Sequence, residues 1–138
     1  MTWLPYALLS AVAAAATAIL AKLGVQGVPS NLATAIRTVV ILVFAWGIAI
    51  AGGDHRVLGK VSNRSLLFLV LSGVATGVSW LAYFRALQLG PASRVAPIDK
   101  SSLALTVLLA GVLLKEPISL RVAAGSVFIV GGTLLMIR

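Results

Sequence analysis

Blocks of about twenty apolar residues, separated by glycine, proline and short polar turns, leave this chain few ways to fold. Such a block crosses the ~30 Å hydrocarbon core of a bilayer as a helix, because each backbone polar group there must bond within its own segment. Five stretches approach that length: 3–23, 31–51, 65–89, 93–114 and 119–137. Composition agrees, with 60% of 138 residues hydrophobic and 10% charged, where a soluble domain carries about a quarter charged residues. The expected fold is all-α: a polytopic membrane helix bundle of five transmembrane helices, with four as the alternative. Residues 1–138 read as one unit, because no linker or second composition is visible.

Glycine and proline punctuate the blocks. Gly24 and Gly27 close the first, and Pro29-Ser30 reads as the cap of the second. Gly52-Gly53-Asp54 closes the second, Gly90-Pro91 ends the third, and Ser119 can cap the fifth. The N-terminal block is long and lacks a basic leader, so it reads as a membrane helix rather than a secretory signal. The fourth block is the ambiguous one. Its clean apolar run, 103–114, is too short to cross by itself. It reaches spanning length only if Pro97, Asp99 and Lys100 lie within or near the membrane.

The net charge of +8 does not point to nucleic acid. The basic residues sit between or at the ends of apolar blocks, with no basic stripe interleaved with aromatics. With five crossings, Arg56, Lys60, Arg64, Lys115 and Arg121 fall on one side. Lys22, Arg85, Arg94 and Arg138 fall on the other, with Arg37 just inside the second helix. The dense cluster at 54–64 favours an inside N-terminus. A bias this small is also what a protein inserted both ways would show. No cysteine is present, so disulfide and thiolate chemistry are excluded. His55 is a lone loop histidine. No metal site, cofactor motif, catalytic constellation or other enzyme signature is present.

Ionisable groups inside a bilayer are expensive, roughly 3 kcal/mol each on insertion scales, so they mark function by default. Three stand out: Arg37, Asp99 and Lys100. The two basic side chains are long enough to snorkel to the headgroups. Asp99 is not, and two readings stand. Either the helix starts at Pro97 and Asp99 complements the dipole of its first turn, or Asp99 faces water as a proton or cation site or an ion-pair partner. Helix neighbours point ~100° apart, so Arg37 or Lys22 is a better expected partner for Asp99 than Lys100. Trp80, Tyr83, Phe84 and Leu87 share one face of the third helix, either as core or as the lining of a substrate path. Trp3 and Tyr6 read as interface anchors. Gly73-x-x-x-Gly77, the glycines 125, 131 and 132, and the alanines 11, 15 and 18 offer close helix packing, within one bundle or between subunits.

The stretch SWLAYFRALQLGPASRVAPIDKSSLALTVLLAGVLLKEPIS, residues 79–119, resembles the signature region of the EamA domain of the drug/metabolite transporter superfamily. Trp80, Tyr83, Ala86, Leu87, Gly90, Ala92, Ser93, Val95, Pro97 and Glu116 occupy the pattern's positions, and Gly131-Gly132 those of its last helix. The length and five-segment plan also agree, so the likeness covers nearly the whole chain. One departure is Lys115, where the family often has glycine. The resemblance implies a membrane transporter rather than an enzyme. Typical members carry two five-helix units in inverted orientation around a substrate cavity. A single unit is thus expected to pair with a second copy of itself, possibly antiparallel, or with a related half-unit.

The expectation is a multi-pass inner-membrane secondary carrier, surrounded by lipid bilayer, that moves a small-molecule metabolite as a dimer. Its expected substrate pathway is lined by Arg37, Trp80, Tyr83, Asp99 and Lys100. It requires no cofactor and binds no metal and no nucleic acid. The alternatives are an accessory subunit of a lipid-carrier flippase and a non-transporting membrane scaffold.

Overall fold

The computed structural model describes residues 2–137. Among them every regular element is helical. They are α1 (Leu4–Gly24), α2 (Ser30–Ala51), a 3₁₀ segment (Asp54–Lys60), α3 (Asn63–Leu89), α4 (Ala92–Lys100), α5 (Ser102–Leu113) and α6 (Leu120–Ile137). Arg138, expected to mark one side of the membrane, lies outside the described residues. Four stretches are long and apolar enough to cross a membrane: Leu4–Gly24, Ser30–Ala51, Asn63–Leu89 and Ala92–Leu113. The shorter apolar α6 follows them; its 18 residues extend about 27 Å at 1.5 Å per residue. The fold is an all-helical polytopic bundle. Its chain divides into two compact units, a central one of Leu20–Gln88 and a flanking one of residues 1–19 and 89–138.

In the central unit, α1 ends with the Val25 N–H on the Ala21 carbonyl at 2.9 Å. Gly27 then takes a left-handed φ of 75°. Pro29 is the residue before α2, and it supplies no side-chain cap. Ser30, expected to share the capping role, lies inside the helix and is buried. Its carbonyl accepts from Thr34 Oγ1 at 2.9 Å, and Thr38 Oγ1 repeats the pattern onto the Thr34 carbonyl at 2.8 Å. Hydroxyls bonded to the preceding turn carry no unsatisfied polarity into hydrocarbon. At the other end the Gly52 N–H bonds the Ile48 carbonyl at 2.8 Å. The connection to α3 is wound into a 3₁₀ segment. α3 starts two residues earlier than the apolar pattern indicates, because Ser62 caps it: its Oγ accepts from the Ser65 N–H at 3.1 Å.

The flanking unit holds the fourth crossing, which is not one helix. Pro91 is extended (φ −72°, ψ 140°) and opens α4. Pro97 therefore sits inside α4, and Asp99 falls in its last turn. This removes the first of the two readings of Asp99, in which a helix starts at Pro97 and Asp99 lies in its first turn. Pro97 has no N–H for the Ser93 carbonyl and its ring crowds that group. The chain breaks one turn later, at Ser101, whose Oγ bonds the Ile98 carbonyl at 2.6 Å. α5 then resumes at Ser102. α6 packs against both α4 and α5. Buried Thr133 ties it to the break, donating to the Ile129 carbonyl at 2.8 Å and reaching the Pro97 carbonyl at 3.3 Å. Ser119 caps α6 as expected, accepting from the Val122 N–H at 3.3 Å.

At the end of α5 the backbone of Lys115 has a φ of 55°, the left-handed region. A side chain there costs about 1 kcal/mol relative to glycine. The position at which the sequence departs from the expected glycine is thus the one non-glycine left-handed residue among those described. Lys115→Gly should stabilise the fold by about 0.5–1 kcal/mol. A thermal unfolding midpoint in detergent raised by a few degrees would show it.

Polarity is arranged as lipid requires. Exposed side chains include Leu9, Val43, Leu69, Val112 and Leu135, while buried ones include Ser30, Thr34 and Thr133. A Cβ at Gly73, Gly77, Gly125, Gly131 or Gly132 would meet nothing within 4 Å. No neighbour inside their own units therefore requires a glycine at these positions.

Candidate functional site

The residues expected to line a pathway fall into two groups. Arg37, Trp80 and Tyr83 belong to the central unit; Asp99 and Lys100 belong to the flanking unit.

In the first group, α2 carries Arg37 seven residues past Ser30, about 10 Å along the axis. α3 carries Trp80 nine residues before Leu89, about 13 Å from its end. The Arg37 guanidinium carbon lies 4.3 Å from the Trp80 ring centroid and 5.5 Å from that of Phe84. Spacing by four puts both rings on one side of α3. Tyr83 meets Phe84 edge-on, with centroids 6.4 Å apart and planes at 68°. A cation over an aromatic face is attracted by the ring quadrupole, by up to about 2 kcal/mol when desolvated. Arg37 is therefore held on aromatic surface within the span.

The aromatic face divides between the two readings offered for it. Phe84 and Leu87 are 3% and 0% exposed, so they pack. Trp80 and Tyr83 are half-buried, so they keep surface for contact with something else.

Sequence reasoning missed the clasp at the end of α3. Pro91 lacks the N–H that would bond the Leu87 carbonyl four residues back. Lys22 Nζ, from the last turn of α1, donates to that carbonyl instead. Beside it Gln88 Nε2 donates to the Val28 carbonyl at 2.6 Å, and Arg85 donates to Gln88 Oε1 at 3.0 Å. The readable signal was Gly90-Pro91 itself, which orphans carbonyls and calls for a nearby cation.

In the second group, Asp99 Oδ2 lies 3.6 Å from Lys100 Nζ. This corrects the expectation that Arg37 or Lys22 would pair with Asp99 in preference to Lys100. α4 ends at Lys100, so the ~100° offset of a continuous helix does not keep these neighbours apart, and the long lysine stem closes the gap. The pair is open, with side chains 37% exposed at Asp99 and 53% at Lys100. The same unit has an apolar groove of about 510 Å³ between α5 and α6, lined by residues such as Ala104, Leu108, Ile118 and Val130. It includes none of the five pathway residues. No group of three or more metal-ligating side chains occurs among the described residues.

Comparison with known proteins bears directly on this arrangement. No solved structure matches the chain. A Sinorhizobium protein described as an uncharacterized transporter in the cobO 3′ region is 48% identical over 135 residues, covering 98% of this chain and 96% of its own length. The model of the EamA-like transporter family matches residues 1–138. Together with apolar helices of spanning length, these likenesses make the protein a membrane transporter of the drug/metabolite type. The chain belongs to the EamA-like transporter family.

Proposed function

We propose that this five-segment unit moves a small polar or amphipathic metabolite across the inner membrane, as a secondary carrier, by pairing with a second copy or a related half-unit. One observation carries the reading: an arginine inside a spanning helix is held against two aromatic rings of the neighbouring span, 4.3 and 5.5 Å away. Lipid-facing helices have no use for such a group, and intramembrane ionisable residues mark substrate and ion paths. Arg37, Trp80 and Tyr83 are assigned to solute contact. Asp99 and Lys100, at the break between α4 and α5, are assigned to the pathway as a titratable element, since broken helices in carriers border substrate and ion sites. The open faces at Gly73 and Gly125 support pairing, because small residues admit close helix approach. An antiparallel pair fits the weak basic bias of the loops.

The test is flux by the purified protein reconstituted alone in liposomes, against a panel of radiolabelled amino acids, organic acids and amines. Counterflow of at least one class above protein-free vesicles is expected, and cross-linking through introduced cysteines is expected to trap a dimer. Absence of flux for every class, with restoration on adding a related membrane protein, would make the chain an accessory subunit instead.

A further inference from the structure

We infer that the Arg37 site selects organic anions: solutes carrying a carboxylate or phosphate group on an apolar or aromatic body. The inference rests on the reading that Arg37 and Trp80 line the transport path, and it names the solute class.

Charge accounting carries it. The chain holds three acidic residues against eleven lysines and arginines. In the central unit the acidic residue is Asp54, in the 3₁₀ segment beyond the far end of α2; that end lies about 20 Å along the helix from Arg37. Within its unit the Arg37 guanidinium rests on two rings and interacts with Tyr83, and no carboxylate stands beside it. Ring contacts balance no charge, so the guanidinium's five N–H donors, in a fixed fork, have no anionic partner in their unit. A planar donor fork matches a carboxylate or phosphate edge bidentately. Half-buried Trp80 offers apolar surface next to that fork, so an anion with a flat hydrophobic body meets both. A cation would meet like charge. In the flanking unit, Asp99 has Lys100 as its own countercharge at 3.6 Å.

The chain has three tryptophans, so a Trp3→Phe, Trp46→Phe background leaves Trp80 as the sole fluorescent reporter beside Arg37. In nanodiscs of zwitterionic lipid, benzoate and phenyl phosphate should change its emission with affinities roughly tenfold or more above those of benzamide and benzylammonium. Arg37→Gln should remove the preference. Arg37→Lys should retain preference for anions with weaker binding, which separates charge from folding. Equal responses to benzoate and benzylammonium would overturn the inference, as would an unchanged preference in Arg37→Gln. So would loss of the benzoate response when phosphatidylglycerol replaces the zwitterionic lipid, because a headgroup phosphate would then own the site. Flux of the same probes separates the underlying reading. Arg37-dependent benzoate binding without flux keeps the anion site and removes the pathway. Flux of amines that survives Arg37→Gln keeps the carrier and removes anion selectivity.

Discussion

Asp99→Asn should reduce transport driven by a pH gradient roughly tenfold or more and leave the chain folded. The carboxylate is one of three in the protein. It stands in the last turn of α4, two residues before Ser101, where the chain breaks ahead of α5. Its contact is with Lys100, at 3.6 Å and well exposed. An open pair of this kind contributes little to stability, about 0–1 kcal/mol. The bonds that shape the break use other atoms: Ser101 Oγ on the Ile98 carbonyl and Thr133 Oγ1 on the Pro97 carbonyl. Asparagine keeps the shape and loses the acidic group that can bind and release a proton. Flux into vesicles with an imposed pH gradient, compared with counterflow at equal pH, isolates the effect. Undiminished pH-driven flux in a well-folded Asp99→Asn protein would remove Asp99 from proton coupling and leave the rest of the proposal standing.

Lys22→Met should destabilise the protein by about 2 kcal/mol, the largest stability effect expected of a single polar substitution here. Hydrogen bonds to charged groups contribute about 1.5–3 kcal/mol, and a buried carbonyl left without a donor costs its full desolvation. The Leu87 carbonyl is such a group, since Pro91 cannot serve it and the Leu87 residue is 0% exposed. Methionine matches the length and apolar stem of lysine, so the substitution isolates the ammonium. Lys22→Arg should recover most of the loss. Equilibrium unfolding in mixed micelles measures both. Faster amide exchange over the last turn of α3 would locate the damage at the clasp rather than in the helix at large. A Lys22→Met protein as stable as the parent would show that water or another donor reaches the Leu87 carbonyl.

Much of the fold was legible because its physics is one-dimensional. Whether a block of leucine, valine and alanine prefers hydrocarbon depends on its length and composition, and glycine and proline end helices locally. The ends of α1, α2 and α3, the cap at Ser119 and the odd backbone at Lys115 follow from those local rules. The break in the fourth crossing was half legible. Pro97 announced a disturbance. The sequence could not say whether proline opened a helix, as it does at a first turn, or sat inside one. That depended on Pro91 taking an extended conformation and starting α4 at Ala92, five residues earlier.

Tertiary structure decided the partners. The sequence by itself determined an all-helical membrane chain, its approximate crossings and its family, because apolar length and turn residues act over neighbouring positions. Only the tertiary structure decided that Arg37 rests on Trp80 and Phe84, that Lys22 serves the carbonyl orphaned by Pro91, and that Asp99 turns to Lys100. Ion pairs and cation–ring contacts act over 4–6 Å in space, and a helix that rotates or breaks changes which side chains come within that range.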